Sequence, residues 1–152
     1  MEQKVKANNK GFSLVELIVV VLIMAIIAVA LAPQVMKWVD NSRIATDRQT
    51  ADSVVSFARL ALTDQAAYAE VANLGANTIE ITVNNTGWDI DGSAAGVDFD
   101  SFEAAFCESA GIAASDTDAI ILKSDNEITV TINKDGLVTS DAADELDSDD
   151  LD

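Results

Sequence analysis

Phe12-Ser13-Leu14-Val15-Glu16-Leu17-Ile18-Val19-Val20-Val21-Leu22-Ile23-Met24-Ala25-Ile26-Ile27-Ala28-Val29-Ala30-Leu31-Ala32 is the stretch on which the reading of this chain turns. Its 21 residues hold one hydroxyl, Ser13, and one charge, Glu16. At about 1.5 Å of rise per residue they make a helix of roughly 31 Å, the thickness of a bilayer hydrocarbon core. A core helix of a soluble protein rarely stays apolar all round for so long. The many β-branched residues weaken helix propensity in water, but in lipid the backbone must close its hydrogen bonds within the segment. The pattern predicts a membrane span.

Ahead of the span, Met1 to Gly11 carries Lys4, Lys6 and Lys10 against Glu2. Basic residues stay on the cytoplasmic side, so the N-terminus is expected inside and the chain beyond Pro33 outside. Ala28, Ala30 and Ala32 imitate the small-residue site of a cleaved secretory signal. The length of the apolar run and Glu16 within it argue against that. A carboxylate at the bilayer centre costs on the order of 2.5–3.5 kcal/mol, and less near an end. Glu16 either snorkels to the nearby interface or awaits a cation from another subunit; no basic side chain is available on its own helix at that depth.

The run Lys10-Gly11-Phe12-Ser13-Leu14-Val15-Glu16-Leu17, followed by apolar residues and Pro33, resembles the N-terminus of a type IV prepilin. The likeness covers roughly residues 6–40 and places the chain beside the type IV pilin and type II pseudopilin superfamily. It implies cleavage by a prepilin peptidase between Gly11 and Phe12 and methylation of the new amino group of Phe12 by the same enzyme. Gly11 suits a protease subsite because it leaves the scissile bond open. The resemblance also supplies the cation for Glu16, namely the α-amino group of Phe12 in a neighbouring subunit. A buried charge left unpaired disfavours a subunit out of register, so one carboxylate can specify the stagger of a helical fibre. Phe12, Glu16 and Pro33 are thus the expected assembly residues. Many relatives carry a glycine within the apolar helix; here none lies between Phe12 and Pro33. Pro33, the only proline, still removes an amide donor and can kink or open the helix.

From Gln34 to about Leu74 the chain keeps a helical character. Ile44, Ala51, Val55, Ala58, Leu62, Ala66 and Ala69 form an apolar stripe. Asp40, Arg43, Asp47, Arg48, Asp52, Arg59 and Asp64 are expected on other faces. Gly75 is a natural stop, so one amphipathic helix is expected to continue to residue 74. The alanine-rich stripe reads as a seat for the protein's own sheet.

Beyond Gly75 the period changes to two. Ile79, Ile81 and Val83 alternate with Glu80 and Thr82, as Ile128, Val130 and Ile132 do with Thr129 and Thr131. Asn84 to Gly87 reads as a turn, Ser101 to Ser109 as a short helix with Asp100 and Glu103 as its capping pair, and Leu137 to Thr139 as a last strand. Ala119 to Leu122 precedes a loop of hairpin length at Ser124 to Asn126, and a second such loop is Lys134 to Gly136. The fold class is α+β: one long N-terminal helix, its first half in the membrane, packed by a small antiparallel meander over residues 75–139. This is the pilin-like architecture that the resemblance implies. Residues 140–152 hold seven acidic side chains and two leucines, which predicts a disordered acidic tail.

Charge excludes several functions. The 152 residues carry 26 acidic and 9 basic side chains and no histidine, for a net of −17. Imidazole chemistry is absent, and a polyanion binder would need basic clusters, so no direct nucleic-acid partner is expected. Losing residues 1–11 would remove three lysines and one glutamate and leave a net of −19. Such heads repel one another side by side unless salt or divalent cations intervene. Calcium is the cation to consider. Asp89-Ile90-Asp91-Gly92 resembles the opening of a calcium loop, with Asp89 and Asp91 as candidate ligands. The EF-hand spacing fails, however: Ala94 stands where glycine is needed, and no glutamate closes the loop before Asp100. Cys107, the single cysteine, reads as a buried small hydrophobe. No nucleophile and base can be paired, so no enzyme, catalytic residue or cofactor is expected.

These readings converge on a major structural subunit of a type IV pilus. It would be a single-pass prepilin of the cytoplasmic membrane and then part of an extracellular homopolymer for adhesion, twitching motility or colonisation. The partners implied by the resemblance are the prepilin peptidase, an assembly ATPase and a platform protein. A pseudopilin of a type II secretion or competence system shares the whole N-terminal motif. A signal-anchored binding protein that never polymerises is the alternative of another class.

Overall fold

A computed structural model describes residues 11–92 and 99–146. The basic leader residues Lys4, Lys6 and Lys10, the segment 93–98 with its Ala94, and the acidic end 147–152 lie outside the described residues. The chain divides into two units, Met1–Trp38 and Val39–Asp152, with the boundary inside helix α1 (Leu14–Ala61). In the first unit every described residue is exposed, as a helix made for an apolar surrounding must be in isolation.

The second unit is the α+β head. After α1 come α2 (Gln65–Ala72), strands β1 (Ile79–Val83) and β2 (Trp88–Gly92), α3 (Asp100–Ala110), β3 (Ile128–Ile132), β4 (Val138–Ser140) and α4 (Ala142–Glu145). The four strands form one sheet in the order β2-β1-β3-β4, with all neighbours antiparallel. The expected meander with a helical insertion is corrected in its strand order, while the insertion, α3, lies between β2 and β3. β1 is central because the β1–β2 hairpin is followed by an excursion through α3, and β3 then returns to the other edge of β1.

Strand alternation sorts the two sheet faces as the sequence predicts. Ile79, Ile81, Val83, Trp88, Ile90, Ile128, Val130, Ile132 and Val138 are buried on one face, against the stripe Ile44, Ala51, Val54, Ala58 and Ala61 of α1. Phe106 of α3 is the aromatic hub, 5.6 Å from Trp88 and 6.3 Å, edge to face, from Phe57.

Five local expectations are corrected. First, the helix does not run unbroken to residue 74. It ends at Ala61 and restarts at Gln65, because the Asp64 carboxylate accepts the N–H groups of Ala66 and Ala67 and caps a new helix. The break shifts the phase: Ala66 and Ala69 are exposed, while Ala67, Val71 and Leu74 are buried. Second, Asp47 is not on a solvated face but fully buried. Third, α3 is not capped by an Asp100–Glu103 pair. Glu70 of α2 reaches across, its two carboxylate oxygens accepting Ser101 N–H at 3.1 Å and Phe102 N–H at 2.9 Å. Fourth, Ala119 to Leu122 forms no strand; Leu122 is held by its N–H to Asn84 C=O. Fifth, the start of the expected disordered tail is ordered. Ser140 belongs to β4, Asp141 accepts Thr129 N–H at 2.7 Å, and Leu146 is fully buried with its carbonyl held by Arg48.

Candidate functional site

Gly11, Phe12 and Glu16, three of the candidate processing and assembly residues, lie where α1 begins, and the fourth, Pro33, lies within it. Gly11 and Phe12 precede the helix and are exposed, Phe12 by 92%, so the peptide bond between them stands clear of secondary structure. Ser13 occupies the position before the first helical residue, and Leu17 N–H donates to its carbonyl. Its own N–H donates to Glu16 Oε2 at 2.8 Å. That is one half of a capping box, in which a carboxylate at the third helical position satisfies a free donor at the helix start. The same negative group sits in the first turn, where the helix dipole favours it.

Glu16 therefore has a capping role that the reading of the sequence passed over. Serine followed three residues later by glutamate is itself the sequence signature of such a box, so the signal was present in Ser13-Leu14-Val15-Glu16. The bond to Ser13 uses one of the two carboxylate oxygens. The other makes no hydrogen bond among the described residues.

The first five turns of α1, about 18 residues, supply an apolar surface around that carboxylate. Leu14 to Leu31 presents large apolar side chains all round the helix, with none of its hydrophobic window buried. Pro33 is accommodated within α1.

The other sequence candidates lie in the head. Asp89 and Asp91 are on strand β2, where Asp89 pairs with Thr82 and Asp91 with Glu80. The candidate calcium-loop opening is corrected to the second strand of a hairpin: Trp88 and Ile90 point inward, and the two aspartates fall on the exposed face by alternation. No group of three His, Cys, Asp or Glu side chains suited to a metal occurs among the described residues. Cys107 is buried and free, and burial, helped by the nearby Glu103 charge, pushes its thiol above the usual range.

Comparison with known proteins places the site. Residues 6–32 match the family model described as the prokaryotic N-terminal methylation motif. No curated protein and no solved structure matches the chain. The N-terminal segment thus carries the processing signal of type IV pilins and pseudopilins, joined to a membrane-capable helix.

Proposed function

We propose that this chain, bearing a prepilin-type signal, is the major structural subunit of a type IV pilus. The observation that carries the reading is the methylation motif at residues 6–32 running directly into a helix whose apolar surface is bare on every side, with a separately packed head beyond it. Such a helix needs two apolar environments in turn, the bilayer and then a bundle of its own kind. The prepilin peptidase cuts the exposed Gly11–Phe12 bond at the cytoplasmic face and methylates the Phe12 amine. The Glu16 oxygen left over from the Ser13 contact then receives the Phe12 ammonium of a neighbour. An assembly ATPase and a platform membrane protein drive polymerisation, and the fibre serves adhesion, motility or colonisation outside the cell. The chain performs no catalysis and needs no cofactor in this role.

The test is to express the chain with its peptidase and assembly machinery, shear the cells, and image and weigh the released material. The expected result is fibres of a chain that begins at methylated Phe12. Glu16→Ala should leave membrane insertion intact and strongly reduce fibre. Sheared polymers that retain residues 1–11 would overturn the reading in favour of a tethered domain.

A further inference from the structure

Asn84-Asn85-Thr86 has the spacing of asparagine, a residue other than proline, then threonine, and no other asparagine of the chain has a hydroxyl residue two places on. That pattern is the acceptor for an N-linked glycan in a domain that leaves the cytoplasm. The three residues lie in the connection between β1, which ends at Val83, and β2, which starts at Trp88. Asn85 and Thr86 are exposed and Asn84 is half-buried.

The turn is held in a form that separates the two ends of the Asn84 amide. Its Oδ1 accepts Thr86 N–H at 2.9 Å, the Thr86 hydroxyl at 2.6 Å and Gly87 N–H at 3.1 Å. Two of these donors are backbone amides, which can only donate, so the atom they meet is the oxygen and the other end of the amide is the nitrogen. Asn84 Nδ2 has no hydrogen-bond partner among the described residues, and it is not enclosed. The rest of the turn is fastened: Asn84 N–H donates to Gly87 C=O, Leu122 N–H donates to Asn84 C=O, and Asn85 Nδ2 donates to Asp125 at 2.7 Å. The Thr86 hydroxyl therefore duplicates contacts that two backbone amides already make, and the fold has no need of it for closing the turn.

We propose that Asn84 is a modification site, the acceptor of a glycan transferred from a lipid diphosphate-linked oligosaccharide on the outer side of the membrane. The proposal rests on the outward placement of the head in the reading above and not on polymerisation. Asn84 Nδ2 forms a bond to the anomeric carbon of the first sugar. The bond from that carbon to the phosphate oxygen breaks, the lipid diphosphate leaves with the electron pair, and one amide proton passes to a base of the transferring enzyme. No oxidation or reduction is involved. As the nitrogen gives up its proton, negative charge spreads onto Oδ1, where three donors already stand. Thr86 is thus a positioning residue that acts through the Asn84 amide.

The experiment takes the full chain from the cells that naturally make it and reads the peptide containing Asn84 by mass spectrometry. The expected result is a mass increment of one or more sugar units on Asn84. Thr86→Ala and Asn84→Asp should each abolish the increment, and Thr86→Ser should retain it. Asn84→Asp keeps an acceptor oxygen for Thr86 and Gly87 N–H, so an unchanged far-ultraviolet circular dichroism spectrum with a lost increment separates the modification from damage to the turn. An unmodified Asn84 would overturn the proposal, as would an increment that survives Asn84→Asp and so belongs to another residue. Labelling of the exposed Lys123 and Lys134 on intact spheroplasts, with a membrane-impermeant amine reagent, tests the placement separately. Labelled lysines with a bare Asn84 would remove this site and leave the outward reading standing, whereas unlabelled lysines would remove the outward placement and this site with it.

Discussion

Asp47 lies at the centre of the buried stripe of α1, one turn after Ile44 and one before Ala51, and is fully enclosed. Its two oxygens accept Lys123 N–H at 2.5 Å and Ser124 N–H at 2.8 Å, so a loop with no strand partner is fastened to the long helix through one side chain. A buried carboxylate is tolerated on these terms only when its lone pairs are used. Asp47→Ala leaves two part-buried N–H groups without their acceptors, each costing on the order of 1–3 kcal/mol where water does not reach it. Two such groups give an expected loss of about 2–6 kcal/mol, toward the lower end because both are only part-buried, and urea unfolding of the detergent-solubilised chain measures it. Asp47→Asn keeps one acceptor oxygen and should lose less. Gly87 illustrates the opposite constraint. A Cβ there would come within 2.3 Å of the Thr117 carbonyl oxygen, the atom that accepts Trp88 N–H. Gly87→Ala must push this strap away from the β1–β2 turn, so a lowered melting temperature is expected. Cys107 gives a pH dependence whose sign follows from its raised affinity for the proton. The folded state holds the thiol proton more tightly than the unfolded chain does. Stability should therefore be flat below the usual thiol range, about pH 8.5, and decline as pH climbs past it. Cys107→Ala should remove that alkaline decline while retaining the fold.

At the scale of elements, the break between α1 and α2 decides which residues the head can bury. Asp64 caps α2, and Glu70 within α2 caps α3, so the two short helices are fixed in series by two carboxylates. Removing an N-cap carboxylate typically costs about 1 kcal/mol. Glu70→Ala should destabilise the head by at least as much as Asp64→Ala, because it also severs α2 from α3; thermal melts of the two variants compare them directly. The same elements explain what could be read in advance. β1 and β3 were legible because β-branched residues alternate strictly with polar ones, and α3 ends on Gly111 in the left-handed conformation that glycine tolerates best. β2 was obscured because Asp-Ile-Asp-Gly has the composition of a cation loop, although its period of two is that of a strand. The stripe was legible at Ile44, Ala51 and Ala58, but Val54 and not the expected Val55 is the buried valine; Asp47 escaped it only because a carboxylate is read as solvated until its partners, far along the chain, are known. The phase shift after Asp64 was hidden for a related reason: Thr63-Asp64 carries a cap signal without the glycine or proline that usually marks a break. The start of the acidic tail was misjudged because one leucine, Leu146, and one arginine, Arg48, suffice to anchor it.

For the whole molecule, the N-terminal signal was legible because its chemistry is local, whereas the charge distribution acts only between copies. On the proposed reading, a mature chain of net −19 (the value left once residues 1–11 are removed) carries nearly all its excess on residues 75–152, with 19 acidic and 2 basic side chains, and not on the apolar helix. The helix contribution to a fibre is insensitive to salt, and the head repulsion is not. Screening extends over about 30 Å at 0.01 M salt and about 10 Å at 0.1 M, so lowering the salt lets each head feel neighbours that moderate salt hides. Sheared fibres are therefore expected to shorten or dissociate on dialysis to about 0.01 M monovalent salt and to persist at 0.1 M and above, as followed by sedimentation and electron microscopy. Calcium added at matched ionic strength separates two origins of the effect. General screening makes it equivalent to sodium, whereas bridging between carboxylates such as Glu80 and Asp91 makes it protective well below that ionic strength. Replacing Asp89 and Asp91 by asparagine lowers the repulsion in either case, and only under bridging does it also abolish the calcium advantage. Fibres indifferent to salt over the whole range would mean that the acidic faces never approach one another.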